Sequence, residues 1–307
     1  MNTPRIHPFL RRTLWFAAWV FSLAIAFGYG FQTADSKAFP YWRFQRLAQW
    51  WNDSWQTGPA EPYSLSYRDH DTAGRSRVEP DTAASTGVYL VYGQSNASNS
   101  GQLGYEVHGD VLQAFEGSFY RYRDPALGGN GGNGSVWGML GDRLIDSGQH
   151  RQVVFAVASI GGITLEQMLE GQLYNYLVHC HRQLMARFGR VDGLLFHQGE
   201  YNHRLHSGNN DYYRHFVELL EHLRRDGVSA PVYLSQTTRC GIRSSDTALL
   251  DIQDRLIRDH PGVRRGPNSD LLSDPVFRLP DKCHFSLEGN RRLAELWHRC
   301  LLRPSED

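Results

Sequence analysis

A serine that follows a hydrophobic strand is the residue of this 307-residue chain whose surroundings best suit chemistry. The run 88–92 is continuous, β-branched and aromatic, which predicts a buried β-strand. Gly93 then permits a sharp turn, and Ser95 stands in that turn. Open α/β sheets place their chemistry at the carboxyl ends of strands. Ser95 is therefore a candidate nucleophile.

Far downstream, Asp281 and His284 provide a carboxylate and an imidazole three residues apart. A serine hydroxyl is a poor nucleophile until a neighbouring imidazole takes its proton. A carboxylate that hydrogen-bonds this imidazole sets its tautomer and stabilises its cation. The three residues together predict a serine esterase with a Ser-His-Asp triad. Taken alone, each residue has an ordinary alternative role. A serine in a turn more often caps a helix, Asp281 would be a loop residue, and His284 would be a surface residue.

Two further turns follow predicted strands and carry groups that can stabilise an oxyanion. These groups are Gly161, Gly162 and Gln198, and Glu200 follows Gln198 in the same turn. The tetrahedral intermediate needs donors already in position, and losing one typically costs about 2.7–4 kcal/mol. The expected donors are the N–H of Ser95, a glycine N–H and the amide of Gln198. The choice between Gly161 and Gly162 stays open and leans to Gly162, and Gln198 has the alternative role of bracing its loop.

Four short motifs occur in the order found in the SGNH hydrolases. They are GQSN at 93–96, IGGIT at 160–164, HQGE at 197–200 and DKCH at 281–284. The chain from about residue 86 to 301 therefore resembles this superfamily, and within it the sialate O-acetylesterase-like branch related to carbohydrate esterase family 6. The family often has a methionine after GQSN, where this chain has Ala97. It usually has a tryptophan or tyrosine before QGE, where this chain has Phe196-His197. These departures do not affect the predicted catalytic residues, but they weaken the assignment of a particular sugar as substrate.

The resemblance implies a role for each motif. Ser95 is the nucleophile, His284 the base and Asp281 its partner. It places Gly162 and Gln198 in the oxyanion hole with the N–H of Ser95, and the candidates for a supporting role are Gly161 and Glu200. The family's usual activity is removal of acetyl groups from sugars without a metal or organic cofactor. We therefore expect an O-acetylated glycan or polysaccharide as substrate, with no cofactor and no metal.

Other functions remain open beside the esterase. An acyl-enzyme that passes its acetyl group to a sugar hydroxyl would make the chain an O-acetyltransferase acting on a surface polysaccharide. A non-catalytic carbohydrate-binding or assembly protein would be indicated by loss of a triad residue, and none is lost. A lipase or thioesterase would need a broad apolar channel near Ser95, whereas the neighbouring loops are rich in Gly, Asn and His.

Strands alternate with helices from residue 86 onward, which predicts a three-layer α/β/α sandwich with a central parallel sheet of the SGNH or flavodoxin-like type. The predicted strands are 88–92, 153–158, 193–196 and 232–235, and helical spacing covers 137–144, 165–177, 212–223, 249–257 and 293–301. The stretch between the first strand and residue 134 is predicted to be rich in loops. Its glycine run, 128–134, indicates either a flexible loop or backbone packed very close to something.

The amino terminus contains an uncharged apolar segment, 14–31, preceded by Arg11-Arg12. Its eighteen residues at about 1.5 Å each reach roughly 27 Å, close to the thickness of the bilayer interior. The arginines place its amino end in the cytoplasm. We predict a cytoplasmic segment 1–12 and an uncleaved inner-membrane anchor 13–31, and the alternative is a signal peptide cleaved near 24–26.

The remaining boundaries follow from this prediction. Residues 32–85 are expected to form a juxtamembrane segment and a linker or extended wrap, and 86–307 an esterase domain in the periplasm. The cysteines, Cys180, Cys240, Cys283 and Cys300, fit such an oxidising compartment, and three complete pairings are possible. Basic and acidic residues are equal at 32 each, so nucleic acid is not an expected partner.

Overall fold

In the computed structural model, which describes residues 68–205 and 209–302, seven strands form one central sheet. They are β1 (Thr86–Gly93), β2 (Val111–Phe115), β3 (Ser118–Arg121), β4 (Gln152–Ser159), β5 (Gly193–His197), β6 (Val232–Gln236) and β7 (Val263–Asn268). Their spatial order is β3-β2-β4-β1-β5-β6-β7. Strand β3 runs antiparallel to β2, and the remaining neighbours are parallel.

Helices cover both faces of this sheet. They are α1 (Trp137–Asp146), α2 (Gln172–Phe188), α3 (Glu200–Leu205), α4 (Asn209–Arg225), α5 (Thr247–Asp259) and α6 (Leu287–Leu302). One core lies between the sheet and α2, α4 and α5, and a second lies between the sheet and α1 and α6. The prediction of an α/β fold with a mostly parallel central sheet is confirmed.

Strand β1 occupies the middle of the sheet because both of its faces are apolar. Val88, Leu90 and Tyr92 point into one core, and Tyr89 and Val91 point into the other. Successive side chains of a strand point to opposite faces, so a continuous apolar run suits a strand buried on both sides. The carboxyl end of β1, where Ser95 lies, is therefore flanked by the ends of β4 and β5.

The prediction of a loop-rich stretch before residue 134 was wrong in one part, since β2 and β3 form a hairpin there. The sheet is accordingly mixed rather than wholly parallel. Strand β2 has a polar residue at its centre, Gln113, whose buried Oε1 accepts a hydrogen bond from Leu127 N–H at 3.0 Å. Strand β7, which contains Arg, Gly and Pro, was also missed. Short or edge strands of this kind lack the apolar run that identifies β1.

The helical spacing predicted over 165–177 corresponds to two separate elements. A 3-10 turn at Glu166–Met168 is followed by Gly171, with φ of 83°, and α2 begins only at Gln172. Leu165 and Tyr176 nevertheless lie in the same core. The apolar spacing continues across the break because both elements pack on the same face of the sheet.

One disulfide joins two loops that are distant in sequence. Cys240, after β6, is bonded to Cys283, directly before His284, while Cys180 and Cys300 are free. None of the three complete pairings is therefore formed.

The predicted cytoplasmic segment, the predicted anchor and residues 32–67 lie outside the described residues. Within 68–205 and 209–302, no helix has the length and apolar character needed to span a membrane. Residues 68–85 lie against the sheet domain. Asp69 N–H donates to Gly129 O at 2.7 Å, and Gly128 N–H donates to Asp69 O at 2.8 Å.

Candidate active site

Ser95 opens a 3-10 turn, Ser95–Ala97, directly beyond β1. The turn lies against β5, because a Cβ at Gly93 would stand 2.3 Å from His197 O and 2.7 Å from Ala97 Cβ. Only glycine fits at that position. Ser95 is 5% exposed, and among the described residues neither its Oγ nor its N–H has a hydrogen-bond partner. Both groups are therefore available to a ligand.

His284 and Asp281 form a hydrogen-bonded pair. His284 Nδ1 lies 2.6 Å from Asp281 Oδ2, and Asp281 Oδ1 accepts from the N–H groups of Cys283 and His284 at 2.9 and 3.0 Å. Burial raises the pKa of Asp281, but the hydrogen bond and charge of His284 and the two N–H groups outweigh it and lower the pKa to about 2. A carboxylate that stays ionised holds Nδ1 protonated and leaves Nε2 to act as a base.

The Ser95 turn and the His284 loop meet at one carbonyl group. Asn96 Nδ2 donates to Cys283 O at 3.3 Å, and Arg278 Nη1 donates to the same oxygen at 2.6 Å. The Arg278 guanidinium also lies 4.0 Å from the ring centroid of Phe285. The residues on both sides of His284 are thus held, and the disulfide at Cys283 adds a covalent restraint.

Glu200 holds Asn96, the residue that links the Ser95 turn to the His284 loop. Its Oε1 accepts from Asn96 Nδ2 at 2.9 Å and lies 3.0 Å from His197 Nε2, and the side chains of Glu200 and His197 are fully buried. Burial raises the pKa of Glu200, but the charge and hydrogen bond of His197 and the hydrogen bond of Asn96 outweigh it, so the pKa falls to about 2. These contacts agree with the supporting role that we expected for Glu200.

Gly161 and Gly162 differ in what their N–H groups do. A Cβ at Gly161 would stand 3.1 Å from Ser95 Cβ, so this glycine adjoins the nucleophile. Its N–H donates to Asn130 Oδ1 at 2.8 Å. Gly162 adopts φ of 71°, and its N–H has no partner among the residues that the structure describes. Of the two, Gly162 has the N–H that is free to bind an oxyanion.

Gln198 is fully buried, and its amide group is engaged inside the protein. Nε2 donates to Ile163 O at 3.1 Å and contacts Asn202 Oδ1, while Oε1 is buried without a partner. Asn202 Oδ1 accepts from Leu165 N–H at 2.9 Å, which sets the orientation of both amides. The two protons of Gln198 Nε2 are therefore directed at the Ile163–Leu165 segment and α3.

Sequence reasoning assigned no role to Asn96, Arg278 or Asn130. Asn130 lies in the glycine run, which is packed against the sheet, since a Cβ at Gly128 would stand 2.1 Å from Val157 O. Close backbone packing is therefore the correct one of the two alternatives for this run. The signals present in the sequence were weak: a position inside the GQSN motif, a lone arginine, and an asparagine between glycines.

Comparisons with known proteins identify the family and the fold. The family described as carbohydrate esterase, sialic acid-specific acetylesterase matches residues 137–302, more than half of the chain. The fold is similar to that of an Arabidopsis thaliana protein, with 14% identity and a TM-score of 0.56 over 71% of this chain and 98% of that one. It is also similar to NanS, with 14% identity and a TM-score of 0.50 over 71% of this chain and 96% of that one.

A carbohydrate acetylesterase from Xanthomonas citri, XAC1771, has 15% identity and a TM-score of 0.46, over 69% of this chain and 54% of that one. Among curated proteins, the sequence has no match.

Proposed function

Since the chain belongs to the carbohydrate esterases of the sialic acid-specific acetylesterase family, we propose that it removes O-acetyl groups from a carbohydrate with Ser95 as nucleophile. The predicted resemblance to the sialate O-acetylesterase-like branch is thereby confirmed. The observation that carries the proposal is the His284–Asp281 pair, on a loop whose Cys283 carbonyl accepts a hydrogen bond from Asn96, next to Ser95.

The reaction follows from the atoms available. Ser95 Oγ attacks the acetyl carbonyl carbon while His284 Nε2 takes the hydroxyl proton, and Asp281 stabilises the imidazolium. The carbon–oxygen bond to the sugar breaks, the sugar oxygen takes the proton from His284, and an acetyl-enzyme remains. His284 then removes a proton from water, which attacks the acetyl carbon. The bond from that carbon to Ser95 Oγ breaks, Oγ takes the proton from His284, and acetate is released.

Two backbone donors support the negative oxygen of each tetrahedral intermediate. These are the N–H groups of Ser95 and Gly162, which have no partner in the described part of the chain. Donors that are already oriented stabilise the oxyanion without reorganisation during the reaction.

The test is hydrolysis of p-nitrophenyl acetate and of an O-acetylated sialic acid by the purified full chain. We expect Ser95→Ala to lower kcat by at least about 10³-fold, and the exposed Ser273→Ala to leave it unchanged. Mass spectrometry should show an acetyl adduct on Ser95 of the parent. Equal background rates in the parent and in Ser95→Ala, without an adduct, would contradict the proposal. Transfer of acetyl to added sugar, instead of release of acetate, would favour the O-acetyltransferase alternative.

We also propose that the catalytic domain lies in the periplasm, with 13–31 as its inner-membrane anchor. The Cys240–Cys283 disulfide supports this location, because disulfides persist in oxidising compartments and are rare in the cytosol. Protease added to intact spheroplasts should digest the domain, and protection until lysis would refute the proposal. The mass of the mature amino terminus distinguishes a retained anchor from a cleaved signal peptide.

A further inference from the structure

Asn130 presents an amide group beside the nucleophile that no step described above uses. Its Oδ1 accepts from Gly161 N–H at 2.8 Å. An N–H donor at that distance requires the oxygen of the amide, so the orientation of the amide is determined by its partner. Asn130 Nδ2 consequently points the other way. It has no hydrogen-bond partner among the described residues, and it is not a buried atom.

The position of this amide relative to Ser95 follows from Gly161. The point where a Cβ would stand on Gly161 is 3.1 Å from Ser95 Cβ and 3.6 Å from Asn130 Oδ1. The side chains of Ser95 and Asn130 thus approach the same side of Gly161, the residue that precedes Gly162. A negative oxygen that forms at the carbon attacked by Ser95 would lie among these groups.

The backbone of Asn130 is held firmly in this place. Its N–H donates to Ser159 O at 3.2 Å, and its carbonyl accepts from Asn99 N–H at 3.0 Å and Ser98 Oγ at 2.6 Å. Donors that stabilise an oxyanion are effective when they are preorganised. Asn130 meets that condition through its backbone and through the bond to Gly161.

Gln198, the side-chain donor implied by the family resemblance, is not arranged in this way. Its Nε2 donates to Ile163 O and contacts Asn202 Oδ1, and the whole residue is buried. To bind an oxyanion, it would have to break a hydrogen bond in a region that water does not reach. An unsatisfied buried polar group costs about 1–3 kcal/mol.

We infer that Asn130 Nδ2, rather than the amide of Gln198, is the side-chain donor of the oxyanion hole. This inference rests on the proposed function, because it names a further catalytic residue for that reaction. The hole then consists of the N–H groups of Ser95 and Gly162 together with the amide of Asn130.

The test substitutes Asn130 in the full chain in two ways. Asn130→Asp keeps an oxygen for Gly161 N–H but replaces the amide donor with a charged acceptor. Asn130→Ala removes the donor without adding charge. The matched control is Asn133→Asp, an exposed position in the same loop. Circular dichroism and the melting temperature show that each variant is folded, as the backbone bonds of Asn130 lead us to expect.

We expect both Asn130 variants to lower kcat for p-nitrophenyl acetate by about 10² to 10³, with KM nearly unchanged. The oxyanion exists only in the transition state and intermediate, so its donor affects kcat rather than substrate binding. Asn133→Asp should match the parent. If both Asn130 variants keep kcat within a few-fold of the parent, or if only Asn130→Asp loses it, then Asn130 is not the donor.

The rate at which a fluorophosphonate labels Ser95 provides a second readout that does not depend on the acetyl ester. Negative charge also builds on the phosphoryl oxygen, so labelling should slow in both Asn130 variants. A parent that neither turns over nor labels at Ser95 would refute the proposed function, and this inference with it. A parent that does both, with Asn130 variants that label at the same rate, would refute this inference alone.

Discussion

Asn96 joins the two turns that carry Ser95 and His284, and it does so because Glu200 orients it. One amide nitrogen of Asn96 reaches both Glu200 Oε1 and Cys283 O. Glu200 is in turn paired with His197, and both are fully buried. The members of a buried polar network of this kind are coupled, so a single substitution affects all of them.

We therefore expect Glu200→Gln to lower the free energy of unfolding by about 3 kcal/mol at pH 7, since a neutral amide replaces the carboxylate that Asn96 and His197 stabilise. The sign of the pH dependence follows from the lowered pKa. Glu200 has a pKa of about 2 in the folded chain and 4.5 in the reference state. Its contribution is complete above about pH 4.5 and is lost as the pH falls towards 2.

The difference between the parent and Glu200→Gln should consequently be smaller at pH 3 than at pH 7 in urea unfolding. Glu221→Gln, an exposed position on α4, is the control and should leave both curves unchanged. A difference that stays constant or grows on acidification would show that the carboxylate of Glu200 is not stabilised by its neighbours.

At the scale of elements, the loop between β7 and α6 is positioned by a disulfide to another loop and by hydrogen bonds within itself. The disulfide joins it to the loop after β6, and Arg278 Nη1 and Nη2 donate to Cys283 O and Ser269 O at 2.6 and 2.8 Å. At its end, Ser286 Oγ accepts from Gly289 N–H at 3.0 Å and caps α6. The loop that carries the base is thus held at several points.

We expect Cys240→Ser to lower the free energy of unfolding by about 2–4 kcal/mol, because the disulfide closes a loop of 43 residues. The kcat for p-nitrophenyl acetate should fall as well, since Cys283 adjoins His284. Dithiothreitol should lower kcat in the parent but not in the variant. Cys300→Ser, which removes a free cysteine, is the control. If Cys240→Ser behaves like Cys300→Ser, the disulfide does not position the base.

At the scale of the whole molecule, residues 68–85 wrap around the sheet domain and contact the glycine-rich loop. Arg75 is central to this contact, because its side chain is 2% exposed and donates to Arg123 O, Pro125 O and Asp69 Oδ2. Asp69 pairs through its backbone with Gly128 and Gly129, next to Asn130. The wrap therefore supports the loop that borders the candidate active site.

We expect Arg75→Ala to lower the free energy of unfolding by about 3 kcal/mol, because hydrogen bonds to charged groups contribute about 1.5–3 kcal/mol each and several are lost. The kcat should fall too, since the glycine-rich loop loses a support. The exposed Arg77→Ala is the control for removing an arginine from the same segment. Urea unfolding and kcat measured on both variants test this, and equal behaviour would mean that the wrap is not a support.

The amino-acid sequence by itself determined the alternation of strands and helices, the buried central strand and the family. These follow from local patterns, such as a continuous apolar run, helical spacing, or a glycine turn with a short motif beside it. The roles of Ser95, His284 and Asp281 remain predictions that their geometry supports. Strands β2, β3 and β7 escaped prediction because pairing with a neighbouring strand, rather than their own pattern, stabilises them.

Only the tertiary structure decided which groups surround Ser95. The pairing of Cys240 with Cys283, the meeting of Asn96 with the His284 loop, and the approach of Asn130 to Gly161 join residues that are distant in sequence. Gln198 is in the position that its motif predicts, yet its amide protons are engaged by Ile163 and Asn202. The reason is that a hydrogen bond depends on distance and direction between loops, and these are set by how the elements pack.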